Sequence, residues 1–301
     1  MNYLMPLRGS PPMQKRYAHF QDAIRFDKIM AEIDLVAGMC SYHYLENSGV
    51  GCVTAALDRF DVVHPIRPNN NIWMRASINA VFNKSMEVGV KLTTSFEDEG
   101  KFDEKHVATA YFTMAGMDAN GTAVLPSFTP ITQEQQRRSA DAHARRQENK
   151  QSRYQFSQLF PSSEELEALD DLRDAHSNRN IETILMRDTR HTTEVEMYPE
   201  YVNNLGNVFG GRIMQFVYQN AYITAQAHCR AYPVLAGVDR MDFLAPVHIG
   251  DIVLLESRVV HVGKKSLSIE TKVSSRDQRG SRTRLTNSCY FSFVATDEQR
   301  Q

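Results

Sequence analysis

The 301 residues contain no run near the ~18 apolar residues that a membrane-spanning helix requires, so stable membrane insertion is not expected. They lack an excess of positive charge: 34 Lys and Arg stand against 36 Asp and Glu, a net charge of −2. A general grip on nucleic acid favours a basic face, so nucleic acid is not an expected partner. Four cysteines (Cys40, Cys52, Cys229, Cys289) lie far apart, with no C-x-x-C pair. In a chain this long they read as reduced thiols, not as zinc ligands or a disulfide frame. The ten histidines make no H-x3-H pair and no metal spacing with cysteine or acid, so no metal site is expected. His43 and His228 read as hydrogen-bonded core residues. No G-x-S-x-G elbow occurs, which excludes a serine α/β-hydrolase. Gly263-Lys264-Lys265-Ser266 lacks the upstream glycine of a phosphate loop, Arg258 standing there, and no helix opens after it.

What is present is a repeat. With 42% apolar residues the chain can build real cores, and its length suits about two domains. Residues 53–92 slide onto 234–273 without a gap, with identities that include Asp58/Asp239, Arg59/Arg240, Asp61/Asp242, Lys84/Lys265 and Ser85/Ser266. Ten of the forty positions are identical, where average composition would give roughly two or three by chance. Residues 110–118 match 289–297 with a small change of loop length. In each copy a helix leads and long strands follow. Phe26, Ile29, Met30, Ile33, Val36, Ala37, Cys40 and Tyr44 recur at helical spacing, and Ile213–Cys229 carries no formal charge, so both helices are expected to be buried all round. The strands show β-branched alternation. The expected fold class is α+β, a buried helix wrapped by an antiparallel sheet, occurring twice. The expected divisions are 1–125, a polar joint over 126–180, and 181–301. TQEQQRRSADAHARRQENKQ in the joint is polar on every face, an exposed helix or a flexible linker, and Ser162–Glu165 forms a capping box before a second short helix. Residues 1–21 carry Arg8, Lys15 and Arg16 and no acid, the bias of a mitochondrial transit peptide. Pro6, Pro11 and Pro12 should break an amphipathic helix there, which favours an ordered lead-in or a trimmed start.

One segment points to chemistry. Asn203-Asn204-Leu205-Gly206-Asn207-Val208-Phe209-Gly210-Gly211 is a polar turn opening into the uncharged helix of the second copy. A helix start leaves free N–H groups and a partial positive charge, and adjacent glycines let a ligand approach that backbone. It is a place to polarise a carbonyl; an ordinary glycine turn before a packed helix has the same spacing. The first copy has Arg25-Phe26-Asp27 at its helix start and no paired glycines. It carries Asp34 nine residues on, where the second copy has Tyr218. A carboxylate entering a buried helix needs partners or a raised pKa; a rim acid salt-bridged to Lys or Arg is the plainer reading.

These motifs, with V-D-x-x-D-F-x-x-P-V-x-x-G-D and V-G-K-x-S downstream, resemble the acyl-coenzyme A thioesterases of the hotdog superfamily. IRFDKIMAEIDLVAG, VTAALDRFD and NKSMEV in the first copy narrow the resemblance to the double-hotdog, mitochondrial acyl-coenzyme A thioesterase 9 type. The resemblance implies a tandem hotdog with continuous sheets and hydrolysis of acyl-coenzyme A between its halves. It needs no cofactor beyond the coenzyme A of the substrate, and three chains would form a ring of six hotdogs. It implies Asp34 as the base that activates water, Asn207 with the Gly210 and Gly211 N–H groups as carbonyl-polarising donors, and Asn203 and Phe209 beside the substrate. Lys84, Ser85, Lys265 and Ser266 are implied near the coenzyme A phosphates; exposed hairpin residues fit the pattern equally. Localisation is mitochondrial by resemblance, otherwise cytoplasmic. Two rival functions are a catalytically silent acyl-coenzyme A binder or scaffold, and a hydratase. The hydratase would need D-x-N-P-x-H, which Asp242 to His248 approaches with one residue too many and no Asn.

Overall fold

The computed structural model describes residues 1–20, 23–98, 101–158, 161–177, 184–229, 231–280 and 282–296. The expected boundary at 181 and the last matched residue of the second copy, 297, lie outside them. In chain order the strands are β1 (Asn2–Met5), β2 (Gly51–Val62), β3 (Asn71–Phe82), β4 (Ser85–Asp98), β5 (Lys101–Asp118), β6 (Gly121–Thr122), β7 (His191–Glu196), β8 (Tyr232–Val238), β9 (Met241–Phe243), β10 (Ile252–Val262), β11 (Ser266–Arg276) and β12 (Thr283–Thr296). The helices are α1 (Pro11–Tyr17), α2 (Phe26–Tyr44), α3 (Gln133–Gln158), α4 (Ser163–Ser177) and α5 (Gly210–Cys229). Two compact bodies result, Met1–Phe128 with Arg190–Gln301, and Thr129–Thr189.

The larger body is a double hotdog. Its sheet runs β1-β3-β4-β5-β2-β8-β12-β11-β10-β7, all antiparallel, and the halves join where Phe60 and Asp61 of β2 pair with Val238 and Gly237 of β8. Gly237 keeps that seam close, since a Cβ there would lie a tight 3.0 Å from Asp61 Oδ1 and 3.1 Å from the Phe60 carbonyl. Each half wraps one helix, α2 or α5, and the two helices pack on each other. Ile29, Ile33, Val36 and Ala37 of α2 and Ile213, Met214, Val217 and Ala221 of α5 are buried, as their spacing requires.

Four sequence expectations change. Each half opens with a strand, β1 or β7, before its helix; both are short edge strands, and β7 alternates half-buried with exposed residues, so neither has a strong apolar signal. The central helices are not buried all round: Leu35 and Met39 on α2 are each 42% exposed, and Ile223 on α5 is exposed too. Pro11 and Pro12 begin a helix instead of breaking one, because a proline in the first turn has no N–H to waste. His43 is exposed beside Glu46, 3.4 Å away, and is no core residue.

The smaller body holds α3 and α4. The polar joint is a helix of 26 residues, with an Arg138–Glu134 pair one turn apart. The capping box forms as read: the Ser162 N–H donates to Glu165 Oε2 at 2.8 Å and the Glu165 N–H to Ser162 Oγ at 3.1 Å.

Candidate active site

The turn before α5 is built by its own asparagine. Asn203 Oδ1 accepts from the N–H of Leu205 at 2.9 Å and of Asn207 at 3.1 Å, and Gly206 takes φ 82°, a left-handed backbone natural to glycine. Backbone bridges Val202–Val208 and Asn207–His248 hold the turn on the loop after β9. Asn203 thus shapes the loop with its carbonyl, while the Asn207 side-chain amide has no partner among the described residues and lines a cavity of about 740 Å³.

Asp34 lines the same cavity, from the other half of the fold. It is 1% exposed. Its Oδ1 accepts from the Thr54 hydroxyl at 2.7 Å, and Oδ2 has no hydrogen-bond partner among the described residues. A Cβ on Gly210 would lie 3.1 Å from that oxygen, so the carboxylate abuts the start of α5. A Cβ on Gly211 would lie 3.0 Å from Ala31 Cα, so only glycine lets α5 approach α2 this closely, and the Phe209 ring packs against the same face. Burial pushes the Asp34 pKa up to about 6, against the opposing pull of the Thr54 hydroxyl and of the Gly211 N–H, which lies near the carboxylate without closing a hydrogen bond to it. Among the described residues no salt bridge holds it, and with 1% exposure it is not a rim acid.

Thr54 was not singled out from the sequence. A bulge between Thr54 and Ala56 puts an extra residue into β2, and Val53, Thr54 and Ala55 all line the cavity, which strict alternation would forbid. Lys84 and Ser85 lie near its edge: Lys84 Nζ reaches the Thr122 hydroxyl at 3.4 Å, and Ser85 pairs with Ala115, Thr122 and Ala115 both being lining residues. Lys265 and Ser266 are exposed at the other hairpin, where Ser266 pairs with Val294, and are not brought to this cavity.

The pseudo-symmetric position is filled by the chain itself. Asp27, 3% exposed at the start of α2, accepts from Arg25 at 2.5 Å and from Gln219 of α5 at 2.8 Å. Tyr218 packs with Tyr222, Phe291 and Phe293, and burial raises its hydroxyl pKa far above the usual range. Asp242 of the hydratase-like stretch is bound by Arg240 at 2.7 Å, and His248 is exposed. Among the described residues no cluster of three His, Cys, Asp or Glu could hold a metal, and no helix is long and apolar enough to cross a membrane.

A duplicated hotdog, with a buried carboxylate of one half set against the glycine-rich helix start of the other beside a cavity, defines the class as a double-hotdog protein. Comparison with known proteins narrows the class. The sequence pattern of the Thioesterase superfamily matches residues 205–281. Mitochondrial acyl-coenzyme A thioesterase 9 of Mus musculus is 27% identical over 98% of this chain and 71% of its own length. The acetyl-coenzyme A thioesterase of Rattus norvegicus is 24% identical over 97% of this chain and 51% of its own. A solved structure from Lactobacillus plantarum, provisionally titled an oleoyl thioesterase, superposes with TM-score 0.62 over 99% of this chain and 96% of that one. At 9% identity that likeness speaks for the fold alone. Along nearly its whole length the chain is similar to acyl-coenzyme A thioesterases of the double-hotdog type.

Proposed function

We propose that this chain hydrolyses acyl-coenzyme A to a free acid and coenzyme A in the cavity between its two hotdogs. The observation that carries the reading is the unpartnered, buried Oδ2 of Asp34 beside Gly210, at the positive start of α5. Hydrolysis of a thioester needs a water deprotonated and an oxyanion held. Asp34, mostly ionised at pH 7 with a pKa near 6, takes the proton. The Asn207 amide and the N–H groups at the start of α5 hold the developing oxyanion, and the helix end adds its partial charge. The Thr54 hydroxyl fixes the carboxylate and keeps it ionised. The tetrahedral intermediate then expels the coenzyme A thiolate.

The mitochondrial names of relatives support a mitochondrial location. Assembly of three chains into a ring of six hotdogs completes the proposal, and light scattering that gives only a 34 kDa particle would remove that part. The test of the activity is free-thiol release from acyl-coenzyme A substrates of short, medium and long chain. Turnover of at least one, abolished in Asp34→Asn, supports the reading; binding without turnover would leave a silent acyl-coenzyme A binder.

A further inference from the structure

Arg212 is the third residue of α5 and lines the cavity that holds Asp34. Its guanidinium lies 4.5 Å over the Tyr201 ring and 5.9 Å from that of Phe216, and Nη1 donates to Gln215 Oε1 at 2.7 Å. No carboxylate pairs with it among the described residues. The other half-buried arginines among the described residues of its body, Arg25, Arg75, Arg240, Arg258, Arg276 and Arg284, all hold an Asp or Glu. Glu200 lines the cavity as well, but it is exposed and makes no ion pair with Arg212. A group that does feel Arg212 is another cation, Lys28, whose pKa is lowered by burial first and then by Arg25, Arg16 and Arg212, against the pull of Asp27. An arginine held over an aromatic ring still has N–H groups to offer a planar anion, although Nη1 already gives one to Gln215. A half-buried cation without a counter-ion, facing a ligand cavity, is completed by an anion on the ligand.

An acyl-coenzyme A offers two such anions: the phosphates of its nucleotide end and, in a diacid, the carboxylate at the far end of the acyl chain. Position separates them. Arg212 follows Gly210 by two residues, about 3 Å of helix rise, and Gly210 abuts the Asp34 carboxylate. The phosphates stand off by the whole pantetheine arm, whereas the second carboxylate of a short diacid lies a few bonds from the thioester. We infer, on the thioesterase reading above, that the cavity takes short dicarboxylyl thioesters, with Arg212 gripping the distal carboxylate.

The experiment compares kcat/KM for succinyl- against butyryl-coenzyme A, and glutaryl- against pentanoyl-coenzyme A, in the full chain, Arg212→Gln and Arg212→Lys. The wild type should favour each diacid over its carbon-matched monoacid. Arg212→Gln should lower that ratio by about ten- to a hundredfold, the worth of a charge-assisted pair, and Arg212→Lys should restore part of it. The same ratio in the wild type and Arg212→Gln overturns the inference. The glutarate and pentanoate comparison is repeated on N-acetylcysteamine thioesters, which carry no phosphate. Dependence on Arg212 must survive there; dependence seen only with the coenzyme A esters assigns the guanidinium to phosphate and overturns the proposal. If the wild type hydrolyses other acyl-coenzyme A chains but none of these, the inference is overturned; if it hydrolyses no acyl-coenzyme A of any chain length, the thioesterase reading fails instead. Calorimetric affinity for glutaryl- against pentanoyl-coenzyme A then decides the role of Arg212 by itself.

Discussion

Replacing Asp34 by asparagine should stop hydrolysis and yet make the protein more stable at neutral pH. The carboxyl is buried, with one oxygen on Thr54 and the other unpartnered, and its pKa stands at about 6 against 3.8 for the free side chain. A shift of that size corresponds to about 3 kcal/mol, at 1.36 kcal/mol per unit. The folded-state pKa is the higher one, so the favourable contribution is complete below about pH 3.8 and is lost as pH rises through about 6. Above that the protein holds a poorly solvated charge. Asparagine has no charge to hold, and the Thr54 hydroxyl can turn to suit an amide. The variant should therefore gain up to about 3 kcal/mol at pH 7.5 and little or nothing at pH 4.

Urea denaturation of both proteins across pH 4–8 reads this directly. The difference in stability should be small at about pH 4, grow through about pH 6, and then level off. Hydrolysis by the variant should fall by about two orders of magnitude or more. In the wild type, log kcat/KM should rise with unit slope below about pH 6 and flatten above it, following ionisation of Asp34. A variant that is destabilised equally at pH 4 and pH 7.5 would show that the carboxylate is not an uncompensated charge. An unchanged acid limb in a variant that still turns over would show that it is not the base.

The remaining expectations concern its neighbours. Thr54→Val keeps the burial of Asp34 but removes the hydroxyl that favours the ionised form, so the acid limb should move up by about one to two pH units; a pH–rate profile checks it, and an unmoved limb refutes it. Gly211→Ala brings a Cβ within 3.0 Å of Ala31 Cα, so α2 and α5 must part; a loss of about 1–3 kcal/mol in urea unfolding should accompany weaker turnover. Asn207→Ala should lower kcat by about a hundredfold through loss of one oxyanion donor, with folding intact. Tyr218→Phe should change turnover by less than about threefold, because that hydroxyl sits in the aromatic cluster of the closed position; steady-state kinetics that show its loss to be fatal would place the chemistry in the wrong half.

Much of this was readable because repetition survives in sequence where single motifs are ambiguous. The ungapped match of 53–92 to 234–273 is the pairing of β3 with β10 and β4 with β11 as equivalent strands. Asp34 and the Gly210–Gly211 turn could be marked as complementary, but their approach depends on α2 meeting α5, which no local pattern encodes. Thr54 escaped notice because a bulge sets its direction, and bulges interrupt the period-two signal by which strand faces are read. Arg212 escaped because composition counts charges without showing which have counter-ions. Leu35 and Met39 were wrongly enclosed: an uncharged helix reads as buried whether its open side meets protein or a ligand cavity, and both residues line the cavity.

The asymmetry between the two positions follows from the same energetics. A working site of this design needs a helix start left bare by glycine and a carboxylate held in a dry place, and each destabilises the fold. At the second position Asp27 sits at the start of α2, where the helix end favours negative charge, and Arg25 and Gln219 complete its hydrogen bonds. The room opposite, where an acid would stand, is filled by Tyr218 stacked among Tyr222, Phe291 and Phe293. Each feature proposed to make the first position reactive is there replaced by one that is satisfied within the chain. Once duplication placed both helices in one polypeptide, the halves no longer had to be identical to complete an interface. One position could then settle into the core and add stability, while the other kept its bare glycines and poorly solvated acid.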